Sequence, residues 1–394
     1  IFMAYLQYCK KCIIPSSRPH TYIDSEGICS GCRNYEYREN INWDQRKKLL
    51  IQTIENHKNN SGYDCIIPCS GGKDSTIQVL TVKELGFNPL VVIVTPCHPT
   101  EIGRKNIENV KNIGVDSIEI TTNPVFRRKL NKYCLNLVGD ISWPEAVAIW
   151  CNVARTSIKY QIPLIIWGEN PENENGGPKK NSDISVDEIA THNHRWMEEF
   201  GGTLGLRASD ILFDLKKDGV IEKDIIPYTY PSIDEIKKNK TLGVFLGYFL
   251  PWDGHAHAIK AKNNGFQEYY KNVEGNIVPY ENLDNYQKRI HDYFKYLKYG
   301  YDRVNDWGSL AIRRNRLSRD KAVQYSIDIS GKYPWEYMGK SLEEVLSFID
   351  VTIDEFDIIC DKFTNKELFK KDNDGKLIKD NLGNITKNNY DNIK

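Results

Sequence analysis

A short glycine-containing turn at residues 70–75 constrains the fold of this chain more than any other feature. Its sequence is Ser70-Gly71-Gly72-Lys73-Asp74-Ser75, and it stands between an apolar run at 65–68 and a helical pattern that follows. Paired glycines let the backbone approach an anion, and successive N–H groups at a helix start form a concave site for it. We therefore predict a phosphate-binding turn between a buried strand and a helix.

The side chains of this turn complete the predicted site. Lys73 places a positive charge on the phosphates, and Ser70 and Ser75 add hydrogen-bond donors. Asp74 is suited to orient a Mg²⁺ ion bound to the phosphates. The GxxxxGK[ST] pattern of loops that cleave the γ-phosphate does not occur, so cleavage there is not expected.

Strand-like and helix-like segments alternate around the turn. Further apolar runs at 90–94, 117–120 and 163–167 are separated by helical patterns near 101–113 and 144–160. Short apolar strands separated by helices indicate a parallel sheet covered on both faces. Ligands of such sheets bind beyond the carboxyl ends of the strands. The predicted fold class is therefore α/β, with a parallel sheet.

Four cysteines near the N-terminus form two CxxC pairs, which are Cys9, Cys12, Cys29 and Cys32. The 16 residues between the pairs fit four thiolates on one tetrahedral zinc ion. Four thiolates leave no open coordination position, so we predict a structural Zn²⁺ that holds together a segment without a core of its own. The alternative is four unrelated buried cysteines.

We predict three regions along the chain. They are a zinc-binding knuckle at 1–40, an α/β nucleotide domain at 41–183, and a mostly helical substrate or assembly region at 184–394. The last region is expected to hold a strand at 243–250, helices near 254–264, 281–298, 318–328 and 353–369, and small hairpins or a loose tail at its end.

Charge and hydropathy limit the partners of this 394-residue chain. Lys and Arg total 53 and Asp and Glu total 53, so the net charge is zero, which weakens the case for a nucleic-acid partner. No apolar run approaches the roughly 20 residues that span a bilayer, and the N-terminus shows no secretory pattern. We therefore expect a cytoplasmic protein without a membrane partner.

The turn and its context resemble the PP-loop ATP pyrophosphatase superfamily over about residues 60–170. Members adenylate an oxygen of the substrate, release pyrophosphate, and let a nitrogen or sulfur nucleophile displace AMP. The resemblance implies ATP and Mg²⁺ as cofactors, and Lys73, Asp74 and Ser75 as catalytic residues. It also implies that the end of the second strand, at Thr95, lies near adenine.

Nearly the whole chain resembles one branch, the N-acetyl sugar amidotransferases, which make acetamidino sugars for surface polysaccharides and flagellin glycans. The elements that carry this resemblance are the CxxC pairs and residues 100–109, 139–140, 143–145, 167–170, 174–177 and 312–322. Asn175 and Asn315 depart from the pattern, which has an aromatic residue and a glycine there.

The resemblance implies amidotransfer to an N-acetylated sugar. Ammonia is expected from a separate class I glutaminase subunit, similar to that of imidazole glycerol phosphate synthase, with or without its cyclase-like companion. Free ammonium is expected to work poorly in its place.

Several side chains are candidates for binding the sugar, and each has a structural alternative. The candidates are Arg104, Asn106, Trp167, Gly168, Glu169, Asn170 and Trp252. Glu169 and Asn170 follow a predicted strand, where they either contact a ligand or cap the next element. His255 and His257 near Trp252 either bind a pyranose or are ordinary surface or core histidines. The arginines at 313, 314, 316 and 319 either recognise an anion or form a solvated helix face.

Two other functions remain open from the sequence. The first is a tRNA thiolase, since some join a zinc knuckle to a PP-loop; its cysteines would come from Cys97, Cys134 or Cys151, which are otherwise buried structural thiols. The second is a non-enzymatic nucleotide-binding or zinc-ribbon adaptor.

Overall fold

The structure is a computed structural model that describes residues 6–169, 174, 206–216 and 219–388. The first part of the chain contains α1 (Ser30–Tyr37), α2 (Trp43–Asn56), β1 (Cys65–Cys69), α3 (Lys73–Glu84), β2 (Pro89–Val94), α4 (Glu101–Asn112), β3 (Asp116–Ile120), α5 (Pro124–Val138), α6 (Trp143–Tyr160) and β4 (Leu164–Trp167).

The second part contains α7 (Ala208–Leu215), α8 (Glu222–Ile225), α9 (Ile233–Asn239), β5 (Leu242–Phe245), α10 (Leu246–Phe249), α11 (Gly254–Lys262), α12 (Lys288–Tyr299), α13 (Arg303–Arg313), α14 (Arg319–Ile329), β6 (Glu336–Tyr337), β7 (Lys340–Ser341), α15 (Leu342–Ser347) and α16 (Ile353–Phe363). None of the helices among these residues is long and apolar enough to cross a membrane.

A five-stranded parallel sheet in the order β3-β2-β1-β4-β5 organises the first part. Alternate residues of its strands are buried on opposite faces, as the continuous apolar runs predict. Ile67 and Ile166 pack with apolar residues of α2, α3 and α4. Ile66 and Ile165 pack with Val153 of α6 on the other face. The α/β prediction is confirmed.

The helix starts beside the sheet are fixed by local hydrogen bonds. Gly72 is the N-cap of α3, and its carbonyl accepts the N–H of Thr76 at 3.0 Å. The Thr100 hydroxyl caps α4 by accepting the N–H of Gly103 at 2.9 Å. The first of these is the opening i to i−4 bond of α3, whereas the Thr100 hydroxyl satisfies an N–H group that has no partner inside its helix. They begin α3 and α4 immediately above the carboxyl edge of the sheet.

Most of the remaining helices form a second core. Phe294 of α12, Leu346 of α15 and Phe356 of α16 are fully buried together, and Ile13 of the N-terminal segment lies in the same cluster. The mostly helical character predicted for the C-terminal region is therefore confirmed. The end of the chain forms short turns with isolated bridges, such as Lys371 with Leu377.

The second part differs from the sequence prediction at several boundaries, including the end of the helix predicted at 353–369, which stops at Phe363. β5 pairs with β4, so the sheet continues beyond the predicted domain boundary at 183. The strand predicted at 243–250 ends at Phe245, and the chain turns into α10 at Leu246 because the apolar run continues over a helical turn. The helix predicted at 281–298 begins only at Lys288. Apolar periodicity alone does not locate these boundaries.

Candidate active site

A cavity of about 920 Å³ lies where β1 and β4 meet at the carboxyl edge of the sheet. After β1 the chain continues to β2 on one side of the sheet, and after β4 it continues to β5 on the opposite side. Ligands of open α/β sheets bind at such a switch point. The turn after β1 supplies Ser70, Lys73 and Asp74 to the cavity wall, and Gly168 and Glu169 follow β4 into it.

The turn after β1 has the backbone geometry that its glycines predict. Gly71 has φ +80°, a conformation that favours glycine. A side chain there would also place its Cβ 2.8 Å from the backbone nitrogen of Ile107. The N–H of Gly72 donates to the Ser70 hydroxyl at 3.4 Å, and the Ser75 hydroxyl donates to the Gly72 carbonyl at 3.0 Å. The turn is therefore held open at the start of α3, where helical N–H groups attract anions.

Lys73 is buried and balanced by two carboxylates. Its Nζ lies 2.7 Å from Asp74 Oδ2 and contacts Glu281, which lies between α11 and α12. Burial by itself lowers the pKa of Lys73, but the two carboxylates outweigh it and raise the pKa above its usual value. Lys73 therefore stays charged.

Asp74 has a second partner in α11. Its Oδ1 lies 2.7 Å from His257 Nδ1. Burial acts to raise the pKa of Asp74, but Lys73 and His257 outweigh it and lower the pKa to about 2. Asp74 is thus ionised and suited to hold a divalent cation. Asp74 and Glu281 contact the same Lys73 nitrogen, so both offer oxygens of the type that Mg²⁺ prefers within one small region.

Glu169 faces Lys73 and Asp74 across the cavity. The Glu169 side chain is accessible to solvent through the cavity, but the protein atoms around the cavity limit its hydration. This enclosure, with the nearby negative charges of Asp74, Glu174 and Glu281, raises the pKa of Glu169 to about 7. It is the carboxyl group of the cavity wall best suited to exchange a proton near neutral pH.

Aromatic side chains form much of the remaining wall. Trp252, which precedes α11, and Trp307 of α13 both line the cavity, together with Tyr280. Lys73 Nζ lies 5.3 Å from the Trp307 ring centroid and 5.7 Å from that of Tyr280. At the opposite end the rings of Trp150 and Trp167 are 3.9 Å apart. These faces provide apolar surface beside the charged groups, as small-molecule sites commonly do.

The arginines predicted at the end of α13 are mostly engaged by the protein rather than solvated. Arg314 donates to the Glu174 carboxylate at 2.6 Å and to the Trp252 carbonyl at 2.8 Å. Arg316 makes a two-point contact with Asp253, at 2.6 and 2.5 Å. This contact and Arg314 lower the pKa of Asp253 despite its burial. The arginines therefore shape the cavity wall.

A smaller cavity of about 290 Å³ lies on the other side of Lys73. The phosphate-binding turn forms one wall, and Gly103, Asn106 and Lys288 lie in the others. Lys288 is the first residue of α12, and among the residues that the structure describes its side chain has no hydrogen-bond or ion-pair partner. The second part of the chain thus adds a free cation beside the turn.

The predicted cysteine cluster forms at the N-terminus. The four sulfur atoms lie within 4.8 Å of one another, and all four residues are buried. Cys9 Sγ is 3.9 Å from Cys32 Sγ, and Cys12 Sγ is 3.6 Å from Cys29 Sγ. A tetrahedral site with Zn–S bonds of about 2.3 Å requires sulfur separations of about 3.8 Å. The donor set therefore fits a structural zinc ion, and Cys9, Cys12, Cys29 and Cys32 would hold it.

The other residues predicted to bind substrate either do not line the two cavities or already form hydrogen bonds with the protein backbone. The Thr95 hydroxyl donates to Glu119 at 3.1 Å, and Arg104 also pairs with Glu119 at the sheet edge. Asn106 reaches the smaller cavity, but its amide makes paired hydrogen bonds with the Gln267 backbone, at 2.9 and 2.8 Å. Asn170 lies outside the described residues, as does Asn175.

Sequence reasoning missed Glu281 and Arg303, and it assigned His257 no contact with the turn. All three line or border the larger cavity but lie far from the turn in sequence. The position of Asn315 explains its departure from the resemblance. Its φ is +55°, a left-handed conformation in which glycine is favoured and asparagine is tolerated.

The fold and the cavity define an α/β protein whose glycine-containing turn at 70–75, predicted to bind phosphate, lies at the switch point of its sheet. Residues 265–382 are similar to the family described as LPS biosynthesis protein WbpG-like, C-terminal domain. The solved structure of NMN synthetase from Francisella tularensis is similar at 13% identity and a TM-score of 0.27, over 51% of this chain and 93% of that chain. No curated protein matches the sequence.

Proposed function

We propose that this chain is an ATP-dependent amidotransferase that converts the N-acetyl group of a sugar into an acetamidino group. The observation that carries the proposal is the cavity at the switch point, where the phosphate-binding turn faces Glu169 and an aromatic wall. Its volume of about 920 Å³ is near the upper end of small-molecule sites, about 300–1,000 Å³, and suits a nucleotide with a second substrate. The lipopolysaccharide-biosynthesis match at 265–382 supports a sugar as that substrate.

The phosphates of ATP bind at the turn, with Lys73 beside them. Adenine lies toward Val92, Val94 and Ile149, which form an apolar part of the cavity wall. Asp74 and Glu281 would hold the Mg²⁺ that accompanies ATP, which would neutralise phosphate charge there. The charge on departing pyrophosphate is stabilised by Lys73 and by the N–H groups at the start of α3.

The reaction proceeds in two displacements. The acetamido oxygen attacks the α-phosphorus of ATP, and the bond from this phosphorus to the bridging oxygen breaks, so that pyrophosphate leaves. Ammonia then adds to the carbon of the O-adenylyl imidate and loses one proton. The carbon–oxygen bond breaks, AMP leaves with the electron pair, and the amidine remains. One ATP and one ammonia are consumed for each sugar.

The acidic groups of the cavity suit the second displacement. Glu169 accepts the proton that the attacking ammonia loses, because its pKa of about 7 allows it to be ionised at neutral pH. Trp252 and Trp307 offer faces on which a pyranose packs.

Ammonia is supplied by a separate class I glutaminase subunit in this proposal, and the reaction takes place in the cytoplasm. Glutamine together with such a subunit is therefore expected to support a higher rate than free ammonium.

The cysteines argue against the tRNA thiolase. Sulfur transfer needs a reactive thiolate, whereas burial raises the pKa of Cys97 and of Cys151 to about 12 and holds that of Cys134 well above its usual value. Cys134 and Cys151 also pack in an apolar cluster with Trp143. These thiols are protonated at neutral pH and serve packing.

The decisive experiment measures pyrophosphate release from Mg-ATP with ammonium present, across 2-acetamido sugars, their nucleotide-linked forms, nonulosonic acids and tRNA. Release coupled to a mass decrease of about one dalton in one sugar is the expected result. Lys73→Ala, checked for an unchanged melting temperature, is the control and should release none. Release only with tRNA and a sulfur donor would establish the thiolase instead, and no release with any substrate plus glutaminase would favour an adaptor.

A further inference from the structure

The last residue of α13, Arg313, lies between the cysteine cluster and the wall of the larger cavity. Its Nε is 3.5 Å from Cys32 Sγ, and its Nη2 is 3.6 Å from Cys29 Sγ and 3.8 Å from Cys12 Sγ. One guanidinium group therefore contacts three of the four sulfur atoms that would hold zinc. A Zn²⁺ ion with four thiolates carries a net charge of −2, which a buried guanidinium partly offsets.

The CxxC sequence provides the space for this contact. A Cβ atom at Gly31 would lie 2.5 Å from Arg313 Nη2 and 2.9 Å from its Cζ. Gly31 lies inside α1 and has no left-handed backbone that would itself require glycine. The absence of a side chain at this position is thus explained by the approach of Arg313.

The opposite edge of the same guanidinium reaches the cavity wall. Arg313 Nη1 donates to the carbonyl oxygen of Glu174 at 2.7 Å. The Glu174 carboxylate is held by Arg314 and by Arg38, which follows α1 in the knuckle. Arg38 and Arg314 also both donate to the carbonyl oxygen of Trp252, at 3.1 and 2.8 Å. Glu174 and Trp252 both line the cavity.

We propose that Arg313 is a positioning residue that couples zinc in the knuckle to the Glu174 and Trp252 wall of the cavity. Bound zinc fixes the thiolates, the thiolates fix the guanidinium, and the guanidinium fixes the Glu174 backbone. Among the described residues the phosphate-binding turn makes none of these contacts directly. Glu281 holds Lys73, and Asp74 reaches the wall only through His257, whose ring packs against Trp252. Loss of zinc therefore loosens the wall more than the turn.

The first test measures zinc retention. Arg313→Met removes the charge, Arg313→Lys keeps it without the planar fork, and Gly31→Ala displaces the guanidinium while residue 313 is unchanged. Groups that contact metal ligands commonly change metal affinity by about 10–100-fold. We expect zinc transfer to a chromogenic chelator to be at least about tenfold faster in Arg313→Met and Gly31→Ala, and less so in Arg313→Lys.

The matched control is Arg33→Met. Arg33 lies in the same knuckle beside Cys32, but it pairs with Asp24, Glu26 and Glu36 on the surface. Its zinc transfer should match that of the unchanged protein. Equal rates in all variants would overturn the role of Arg313 at the zinc site.

The second test measures the cavity wall by hydrogen–deuterium exchange. Zinc-stripped protein and Arg313→Met should exchange faster in peptides covering 250–257, with a smaller change in peptides covering 65–79, which contact that segment through His257. Unchanged exchange at 250–257 would overturn the coupling. Both tests need no sugar, so they stand whether or not the proposed amidotransfer is correct. If it is correct, KM for the sugar rises more than KM for ATP in Arg313→Lys.

Discussion

His257 Nδ1 lies 2.7 Å from Asp74 Oδ1, so a histidine of α11 holds an aspartate of the phosphate-binding turn. The His257 ring also meets Trp252 edge-on, with centroids 4.5 Å apart at 89°. One imidazole thus joins the turn to the aromatic wall. Because Asp74 is a proposed Mg²⁺ ligand, the orientation of its carboxylate depends on a residue 183 positions away.

We expect His257→Leu to weaken the use of Mg²⁺. Removing an outer partner of a metal ligand commonly costs about 10–100-fold in metal affinity. The Mg²⁺ concentration for half-maximal pyrophosphate release should therefore rise by about tenfold or more. His257→Asn, whose amide N–H can replace Nδ1–H, is the matched control and should show a smaller rise. Identical Mg²⁺ curves for the leucine variant and the unchanged protein would show that Asp74 needs no such partner.

Lys288 is expected to bind the departing pyrophosphate. It faces the smaller cavity beside the turn, and its side chain has no ion-pair or hydrogen-bond partner in the described part of the chain. A hydrogen bond to a charged group contributes about 1.5–3 kcal/mol, so Lys288→Ala should raise the inhibition constant of pyrophosphate by about 10–100-fold. The melting temperature should change little, because no side-chain hydrogen bond or ion pair of the described residues is lost.

Lys105→Ala is the control for Lys288, since Lys105 is exposed on the nearby α4. Pyrophosphate inhibition of that variant should match the unchanged protein. If both alanine variants behave alike, Lys288 has no role in phosphate binding.

The local parts of the site could be predicted from the sequence. The turn, β1 and α3 are contiguous, so an apolar run, paired glycines and a helical pattern are enough to place Lys73 and Asp74 at a sheet edge. The cysteine spacing likewise predicted the cluster, because a metal site needs only four ligands at suitable separations.

The distant parts could not be predicted in the same way. Glu281 reaches Lys73 only because the second part of the chain packs over the turn, and it precedes α12 rather than starting the helix predicted at 281–298. β5 is four residues long, and its pairing with β4 depends on the helices between them. Arg313 belongs to an arginine-rich helix end whose pattern equally fits a solvated surface. Tertiary packing, rather than local pattern, decides all three.

Cys97→Ser tests the sulfur-transfer alternative directly. Cys97 is the one cysteine of the described residues that is not fully buried, and burial with the charge of Glu145 raises its pKa to about 12. We expect the serine variant to keep pyrophosphate release with the sugar within about twofold, since a protonated thiol away from the reacting atoms contributes little beyond packing. A loss of about 100-fold or more, without a change in melting temperature, would contradict a purely structural role.

The pH dependence of the reaction should report Glu169. The pKa of Glu169 is raised from 4.5 to about 7, and a general base acts in its ionised form. The kcat/KM for ammonia should therefore rise as pH increases through about 7 and level off above it, since this ratio reflects the ionisation of the enzyme complex to which ammonia adds. Rates must be plotted against the concentration of neutral NH₃, because the fraction of ammonium that is deprotonated also rises with pH.

Glu169→Gln removes the titrating group while keeping a similar shape. It should abolish the rise near pH 7 and lower the plateau by about 10²–10⁴-fold, the usual contribution of a general base. Binding of a non-hydrolysable Mg-ATP analogue should be nearly unchanged, because the phosphates contact the turn after β1 rather than the residues after β4. If the rate of the glutamine variant still rises near pH 7, the general base is another group. If the rate of the unchanged enzyme rises nearer pH 4.5 instead, bound substrates relieve the enclosure of Glu169.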